Sequence, residues 1–200
     1  MTAIKICGLT RGEDAEVAVA LGANALGFVL WPSSPRHTSA AAAAAIIRDL
    51  PPFVTPVGVF VNPSADDIAA AADAGLRLAQ VHGTVPAGPT RLPLLRAVRL
   101  SADGSDAIDP DGDDHTVLLD AHDPVRHGGT GQTVDWTRAR AVAAKRRIVL
   151  AGGLTPANVR AAILAVRPYA VDVASGVEAT PGVKDRELLR RFIAAAKETV

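Results

Sequence analysis

Short runs of β-branched and aliphatic residues alternate along the chain with longer alanine-rich stretches whose apolar positions recur at helical spacing. The apolar runs predict strands at 3–7, 25–30, 57–61, 78–81, 95–100, 117–120, 148–151 and 170–174. Several, such as Val57-Gly-Val-Phe-Val61, are almost without polar interruption. That is the pattern of parallel strands covered on both faces. Between them the pattern predicts helices at 13–21, 39–50, 64–74, 135–144, 156–166 and 184–197. Gly22 and Gly75 follow two of these as terminators, and Pro51-Pro52 ends a third. Ser39 and Ser64 stand where N-caps are needed, and Thr155 with Pro156 reads as a cap followed by a first helical residue.

Strand–helix alternation of this kind builds a parallel α/β fold. Eight units in 200 residues average 25 residues each, which fits a (β/α)8 TIM barrel at its lower size of about 200 residues. Two connections are poor in helix signal. Residues 83–93 are rich in Pro and Gly, and 101–114 are acidic with Gly104 and an Asp109-Pro-Asp-Gly turn. Loops or single turns are expected there, so helices after strands four and five are poorly formed or missing. An open doubly wound sheet stays as the alternative, because six helices do not prove closure. No interior linker divides the chain, and residues 1–200 read as one domain.

Composition narrows the class. At 48% hydrophobic residues the chain has ample material for a core, which excludes intrinsic disorder. Lys and Arg number 21 and so do Asp and Glu, so there is no basic footprint for nucleic acid. The longest wholly apolar stretch, 40–47, is far short of the ~18 residues of a membrane helix. The beginning of the chain lacks the features of a signal peptide. One cysteine excludes an internal disulfide and a multi-cysteine zinc site. A soluble, cytoplasmic α/β domain without nucleic-acid or membrane partners is expected.

Reactive groups in such folds lie on the loops after the carboxyl ends of the strands. Gly152-Gly153 after strand seven and Ser175-Gly176 after strand eight form the strongest phosphate signal, since the loops after these two strands are the recurrent phosphate site of the barrel. Taken singly, Gly152-Gly153 is equally a tight turn. Gly128-Gly-Thr-Gly131 lies in the loop after strand six and is no dinucleotide fingerprint; a lid or a phosphate contact are its two readings. Cys7 closes strand one. A lone cysteine is either a small buried hydrophobe or, at this face, a thiolate that takes up a proton. Asp120 follows an apolar run at the end of strand six and is either a structural carboxylate or a desolvated acid able to donate a proton. Arg36 on the loop after strand two is either a solvated arginine or a fork for a carboxylate. His122, His127, Asp120 and Asp123 match no metal-ligand spacing.

Several segments together resemble one family. They are Lys5-Ile-Cys-Gly-Leu-Thr10, Gly27-Phe-Val-Leu-Trp-Pro-Ser-Ser-Pro-Arg36, Val57-Gly-Val-Phe-Val-Asn62, Gln80-Val-His-Gly83 and Leu118-Leu-Asp120. Gly128-Gly-Thr-Gly131, Ala151-Gly-Gly-Leu-Thr-Pro-Ala-Asn-Val159 and Val171-Asp-Val-Ala-Ser-Gly-Val-Glu178 continue the series. In order and nearly end to end, they are similar to phosphoribosylanthranilate isomerases. The resemblance implies a (β/α)8 barrel of tryptophan biosynthesis. Its reaction is the Amadori rearrangement of N-(5'-phosphoribosyl)anthranilate to 1-(2-carboxyphenylamino)-1-deoxy-D-ribulose 5-phosphate, by acid–base catalysis without cofactor or metal.

Carried over, the resemblance makes Cys7 the general base and Asp120 the general acid. Arg36 binds the substrate carboxylate, and the backbone at Gly152, Gly153, Ser175 and Gly176 binds the phosphate. His82, Asp172, Gly129 and Gly131 line the substrate site. A small phosphorylated molecule is the partner, and the chain is a monomer or a homodimer. Another phosphosugar isomerase or epimerase on the same barrel is the alternative, and a non-catalytic phosphate-ligand binder stands behind it. The chain departs from the family at Val81, where leucine is usual, and at 84–93 and 101–114, where helices are usual.

Overall fold

In the computed structural model, which describes residues 2–99, 116–120 and 136–198, the eight apolar runs lie side by side in chain order, all parallel. The order is β1 (Ala3–Cys7), α1 (Gly12–Leu21), β2 (Ala25–Val29), α2 (Ala40–Ile47), β3 (Thr55–Val61), α3 (Ala65–Asp73), β4 (Leu78–His82) and β5 (Leu94–Arg99). Then come β6 (Val117–Asp120), α4 (Trp136–Ala143), β7 (Ile148–Leu150), α5 (Val159–Val166), β8 (Ala170–Val173), β9 (Glu178–Thr180), β10 (Val183–Lys184) and α6 (Arg186–Lys197). β8 returns to pair with β1, with Lys5 beside Asp172, so the barrel closes and the open-sheet alternative falls. Among the described residues no helix is long and apolar enough to cross a membrane.

Side-chain alternation along each strand divides the core in two. One set, including Ile4, Ile6, Leu26, Phe28, Val81, Leu119 and Val171, packs outward against the helices. α6 contributes Leu189, Phe192, Ile193 and Ala196 to this layer. The other set fills the barrel: Leu95, Leu118, Val149, Ala151 and Ala170, with Ala3, Leu78 and Ala97 against them. Two residues further along each strand the interior changes character. Ala3 gives way to Lys5 and Cys7, Leu78 to Gln80 and His82, and Ala170 to Asp172. An apolar plug thus floors a polar bowl at the carboxyl ends.

Local signals account for most helix ends. Ser39 accepts from the Ala42 N–H at 3.1 Å, and Ser64 with Asp67 forms a reciprocal capping box. Gly22 adopts a left-handed φ of 102° at the end of α1. Two starts differ from the sequence reading. Thr155 is not the cap of α5, nor Pro156 its first residue: 156–158 form a turn, and the helix begins at Val159. The turn runs into the helix through the Val159 N–H, which donates to the Thr155 carbonyl at 3.1 Å, while Asn158 Oδ1 accepts the Thr155 N–H at 2.7 Å and closes the turn. Residue 184 is strand rather than helix; Asp185 caps α6, its side chain accepting from the Leu188 N–H. The segment 83–93 contains bends and no helix, as its Pro and Gly content predicts, and Leu92 plugs inward at 6% exposure. The other helix-poor segment, 101–114, lies outside the described residues.

Candidate active site

The polar bowl is a cavity of about 260 Å³. Cys7, Arg36, His82, Asp120, Gly152, Gly153, Asp172, Ser175 and Gly176 all line it, so nine sequence candidates from six strands meet in one place. Gly129 and Gly131 lie outside the described residues, as do His122, Asp123 and His127.

Cys7 ends β1 with its side chain inside the barrel at 7% exposure. Burial pushes its thiol above the ordinary range, Lys5 and Lys184 pull it down, and Asp172 adds to the upward push. Lys5, two residues earlier on the same face, donates to Asp172 Oδ1 at 2.9 Å, with both side chains buried. Burial draws the Lys5 ammonium down, but Asp172 and Cys7 together outweigh it, and the ammonium is held above its usual value.

Arg36 reaches the bowl from the loop after β2 and is gripped by Glu178. Its Nε donates to Oε1 and Oε2 at 2.9 and 3.1 Å, and its Nη2 to Oε2 at 2.7 Å. Glu178 is in turn held by Lys184, whose Nζ lies 2.8 Å from Oε1. The same ammonium donates to the carbonyls of Cys7 at 2.6 Å and Ala174 at 3.2 Å. Three acceptors for three N–H bonds is the coordination of a charged lysine. Burial pushes Lys184 down against the pull of Glu178. Glu178 is itself pushed up by burial, but its bonds to Arg36 and Lys184 win and hold its carboxyl below the usual range.

The β9–β10 hairpin that carries Glu178 and Lys184 is fastened on both sides. Lys184 N–H donates to Asp14 Oδ2 at 3.0 Å, and Thr10 Oγ1 donates to the Gly182 carbonyl at 2.6 Å.

Further round the bowl, Gly152 and Gly153 follow β7 with φ of 82° and 64°, a left-handed pair that glycine adopts without strain. Asn158 braces this turn: its Nδ2 donates to the Gly153 carbonyl at 3.0 Å. Ser175 and Gly176 begin a short 3₁₀ turn beside it. On β4, Gln80 Nε2 and His82 Nε2 are 2.9 Å apart, and the buried Gln80 Oε1 has no partner among the described residues.

Sequence reasoning missed Lys5, Gln80, Asn158, Glu178 and Lys184 as parts of the site. Lys5 and Gln80 were readable, since each is a polar residue on the inward face of an apolar strand. Glu178 and Lys184 carry no such signal, because their roles come from a hairpin folded back over β1.

Comparison with known proteins identifies the family. The sequence profile of the N-(5'phosphoribosyl)anthranilate (PRA) isomerase family matches residues 4–195. The N-(5'-phosphoribosyl)anthranilate isomerase of Geobacter sp. strain M21 is 52% identical over 202 residues, covering 99% of each chain. The crystal structure of the phosphoribosyl anthranilate isomerase from Thermotoga maritima is 40% identical, with a TM-score of 0.87 over 99% of this chain and 100% of that one. Another solved isomerase, in complex with reduced 1-(o-carboxyphenylamino)-1-deoxyribulose 5-phosphate, is 38% identical with a TM-score of 0.84 over 99% and 100% of the two chains. With a profile match over nearly its whole length and relatives this similar, the chain belongs to the N-(5'-phosphoribosyl)anthranilate isomerase family.

Proposed function

We propose that the protein is a phosphoribosylanthranilate isomerase of tryptophan biosynthesis, with Cys7 as general base and Asp120 as general acid. The observation that carries this reading is the lining of one cavity: a thiol, a carboxylic acid, an arginine and a pair of glycine turns. The arginine and the turns match a substrate with a carboxylate at one pole and a phosphate at the other. The Arg36 guanidinium, with Nε and Nη2 committed to Glu178, offers its Nη1 edge to the carboxylate. Backbone at Gly152, Gly153, Ser175 and Gly176 receives the phosphate, where N–H groups serve without a large positive field. His82 and Asp172 complete the walls around the sugar. A cytoplasmic location and a small phosphorylated partner belong to the same reading.

The chemistry follows from the residue types. Asp120 delivers a proton to the ribose ring oxygen; the bond from that oxygen to C1 breaks, and the anilino nitrogen pushes its lone pair in to form an iminium. The Cys7 thiolate then takes the proton from C2. The electrons of that C–H bond become the new C1–C2 double bond, the iminium nitrogen recovers its lone pair, and the enolamine tautomerises to the C2 ketone. No net oxidation occurs, so no redox partner is required. Each positioned proton transfer contributes about 10²–10⁴-fold in rate, and fixing both ends of the substrate adds an orientation term.

The test is an assay that follows loss of phosphoribosylanthranilate fluorescence, with wild type, Cys7→Ser and Asp120→Asn side by side. Turnover is expected to fall by at least about 10²-fold in each variant with the fold intact. Near-normal turnover in either one would refute the role given to that residue.

A further inference from the structure

Lys5 takes no part in the reaction as written, yet its placement is costly. An ammonium inside the barrel loses its hydration, and a buried pair with Asp172 often stabilises a protein no better than an apolar replacement would. A purely structural seam between β1 and β8 is therefore a poor account of it. A second observation concerns where the ammonium lies. A methyl group built on Gly27 of β2 would stand 2.8 Å from Cys7 Sγ and 3.0 Å from Lys5 Nζ. The sulfur and the ammonium nitrogen are thus within about 6 Å of each other, the range over which a cation favours an ionised neighbour. The glycine leaves the space between them open.

We propose that Lys5 is the positioning residue of the base: its ammonium, shared with Asp172, is the counter-charge that offsets part of the cost of ionising the buried Cys7 and stabilises the thiolate while it takes the substrate proton. The proposal rests on the reading of Cys7 as base. When the sulfur takes the C2 proton, an S–H bond forms and the C–H pair passes into the substrate; Lys5 remains protonated throughout and turns fully to Asp172. Release of the proton from the sulfur restores the shared arrangement.

Other charged groups face Cys7. Lys184 comes from β10, but its three N–H bonds are directed to the Cys7 and Ala174 carbonyls and to Glu178. Arg36 comes from the loop after β2 and is paired with Glu178. His82 and Asp120 line the same cavity from β4 and β6. Lys5 is the cation whose carboxylate partner, Asp172, also borders the sulfur. The two members of this pair should therefore move the thiol in opposite directions.

That opposition makes the test. Cys7 is the one cysteine in the chain, so thiolate absorbance in the far ultraviolet and the pH dependence of iodoacetamide alkylation report this sulfur alone. In substrate-free enzyme, Lys5→Met is expected to raise the thiol midpoint by about one to two pH units, and alkylation at neutral pH falls about tenfold or more. Asp172→Asn is expected to lower the midpoint, and Lys5→Arg to return it most of the way toward wild type. The acid limb of kcat/KM moves with the midpoint in each variant. Lys5→Met leaves Asp172 buried and unpaired, so Lys5→Met/Asp172→Asn is made as well and compared with Asp172→Asn alone; its midpoint is expected to be the higher. A midpoint and acid limb unmoved in folded Lys5→Met, and no higher in the double variant than in Asp172→Asn, would overturn the proposal and leave Lys5 a structural residue, whatever happens to turnover. Failure of the base reading has a different signature, which is normal turnover in Cys7→Ser.

Discussion

Replacing Glu178 by Gln removes one negative charge from between two cations and leaves the shape almost unchanged. In the native protein that carboxylate takes three hydrogen bonds from Arg36 and one from Lys184, with 4% of its side chain exposed. The two pairs differ in worth. The Arg36 side chain is 23% exposed, so solvent screens its pair and its share of the stability is discounted. The Lys184 side chain is fully buried, and stripping the partner from a buried ion costs about 3–5 kcal/mol. Glu178→Gln should therefore lower unfolding stability by about 3 kcal/mol in urea melts near neutral pH with little change in m, a large share of an ordinary total of about 5–15 kcal/mol. Arg36 also loses the carboxylate that orients its fork, so KM should rise more than kcat falls. The double variant Glu178→Gln/Lys184→Met separates the two effects. It removes the orphaned ammonium and should recover most of the stability, while KM stays high because Arg36 is still untethered. A Glu178→Gln protein within about 0.5 kcal/mol of wild type and with unchanged KM would show that this network neither stabilises the hairpin nor orients the arginine.

Arg36→Ala deletes the carboxylate fork itself, and KM should rise about 10–100-fold, the worth of one or two charge-assisted hydrogen bonds; steady-state kinetics with an unchanged KM would remove the clamp role. Gly27→Ala places a methyl 2.8 Å from Cys7 Sγ, which displaces the sulfur or the Lys5 ammonium; kcat should fall at least about tenfold, with about 1–3 kcal/mol lost to overpacking, and a variant with normal kcat would show that the strands yield there without consequence. Stability should decline on the alkaline side. Cys7 and Lys5 both hold their protons more tightly in the folded state, so their contribution is complete below the unfolded values of about 8.5 and 10.4 and is lost as pH rises toward the folded ones. Urea melts from neutral pH upward check this, and a flat profile through that window would contradict the directions assigned to both groups.

How much was legible in the chain depended on whether a residue's role is local. Strand existence was readable because each run is mostly β-branched and aliphatic, and Ser39 and Ser64 announced their helices through side chains that bond within three residues. Thr155-Pro156 misled for the same local reason: the dipeptide is a good helix start, but Asn158 bonds back to Thr155 and Gly153 and makes a loop brace of that turn. Lys184 misled more deeply. Its sequence context suits the first turn of α6, whereas its ammonium answers to Cys7, 177 positions away. Of the site, the sequence order exposed what lies at strand ends, namely Cys7, His82, Asp120 and the glycine turns. Of the supporting ions, Asp172 was named from the resemblance and Lys5 stands on a readable inward position, but their pairing and the roles of Glu178 and Lys184 emerge only when β8 closes on β1 and the hairpin folds over the seam.

Those supporting ions explain how a chain with equal numbers of acidic and basic residues can grip a substrate that is anionic at both ends. The cations at the bowl are not bare. Arg36 and Lys184 share Glu178, and Lys5 is held by Asp172, so each of these cations has a carboxylate partner. Each pair also fixes the direction of the donors it leaves over. A guanidinium held through Nε and Nη2 keeps its remaining edge oriented before any ligand arrives, and a dipole already in place needs no reorganisation when charge moves in the transition state. On the proposed roles, selectivity then rests on the spacing of the two attachment points rather than on field strength. A phosphosugar without a carboxylate would, on the same roles, meet the glycine turns but leave Arg36 facing Glu178 alone, and would lose its second point of attachment.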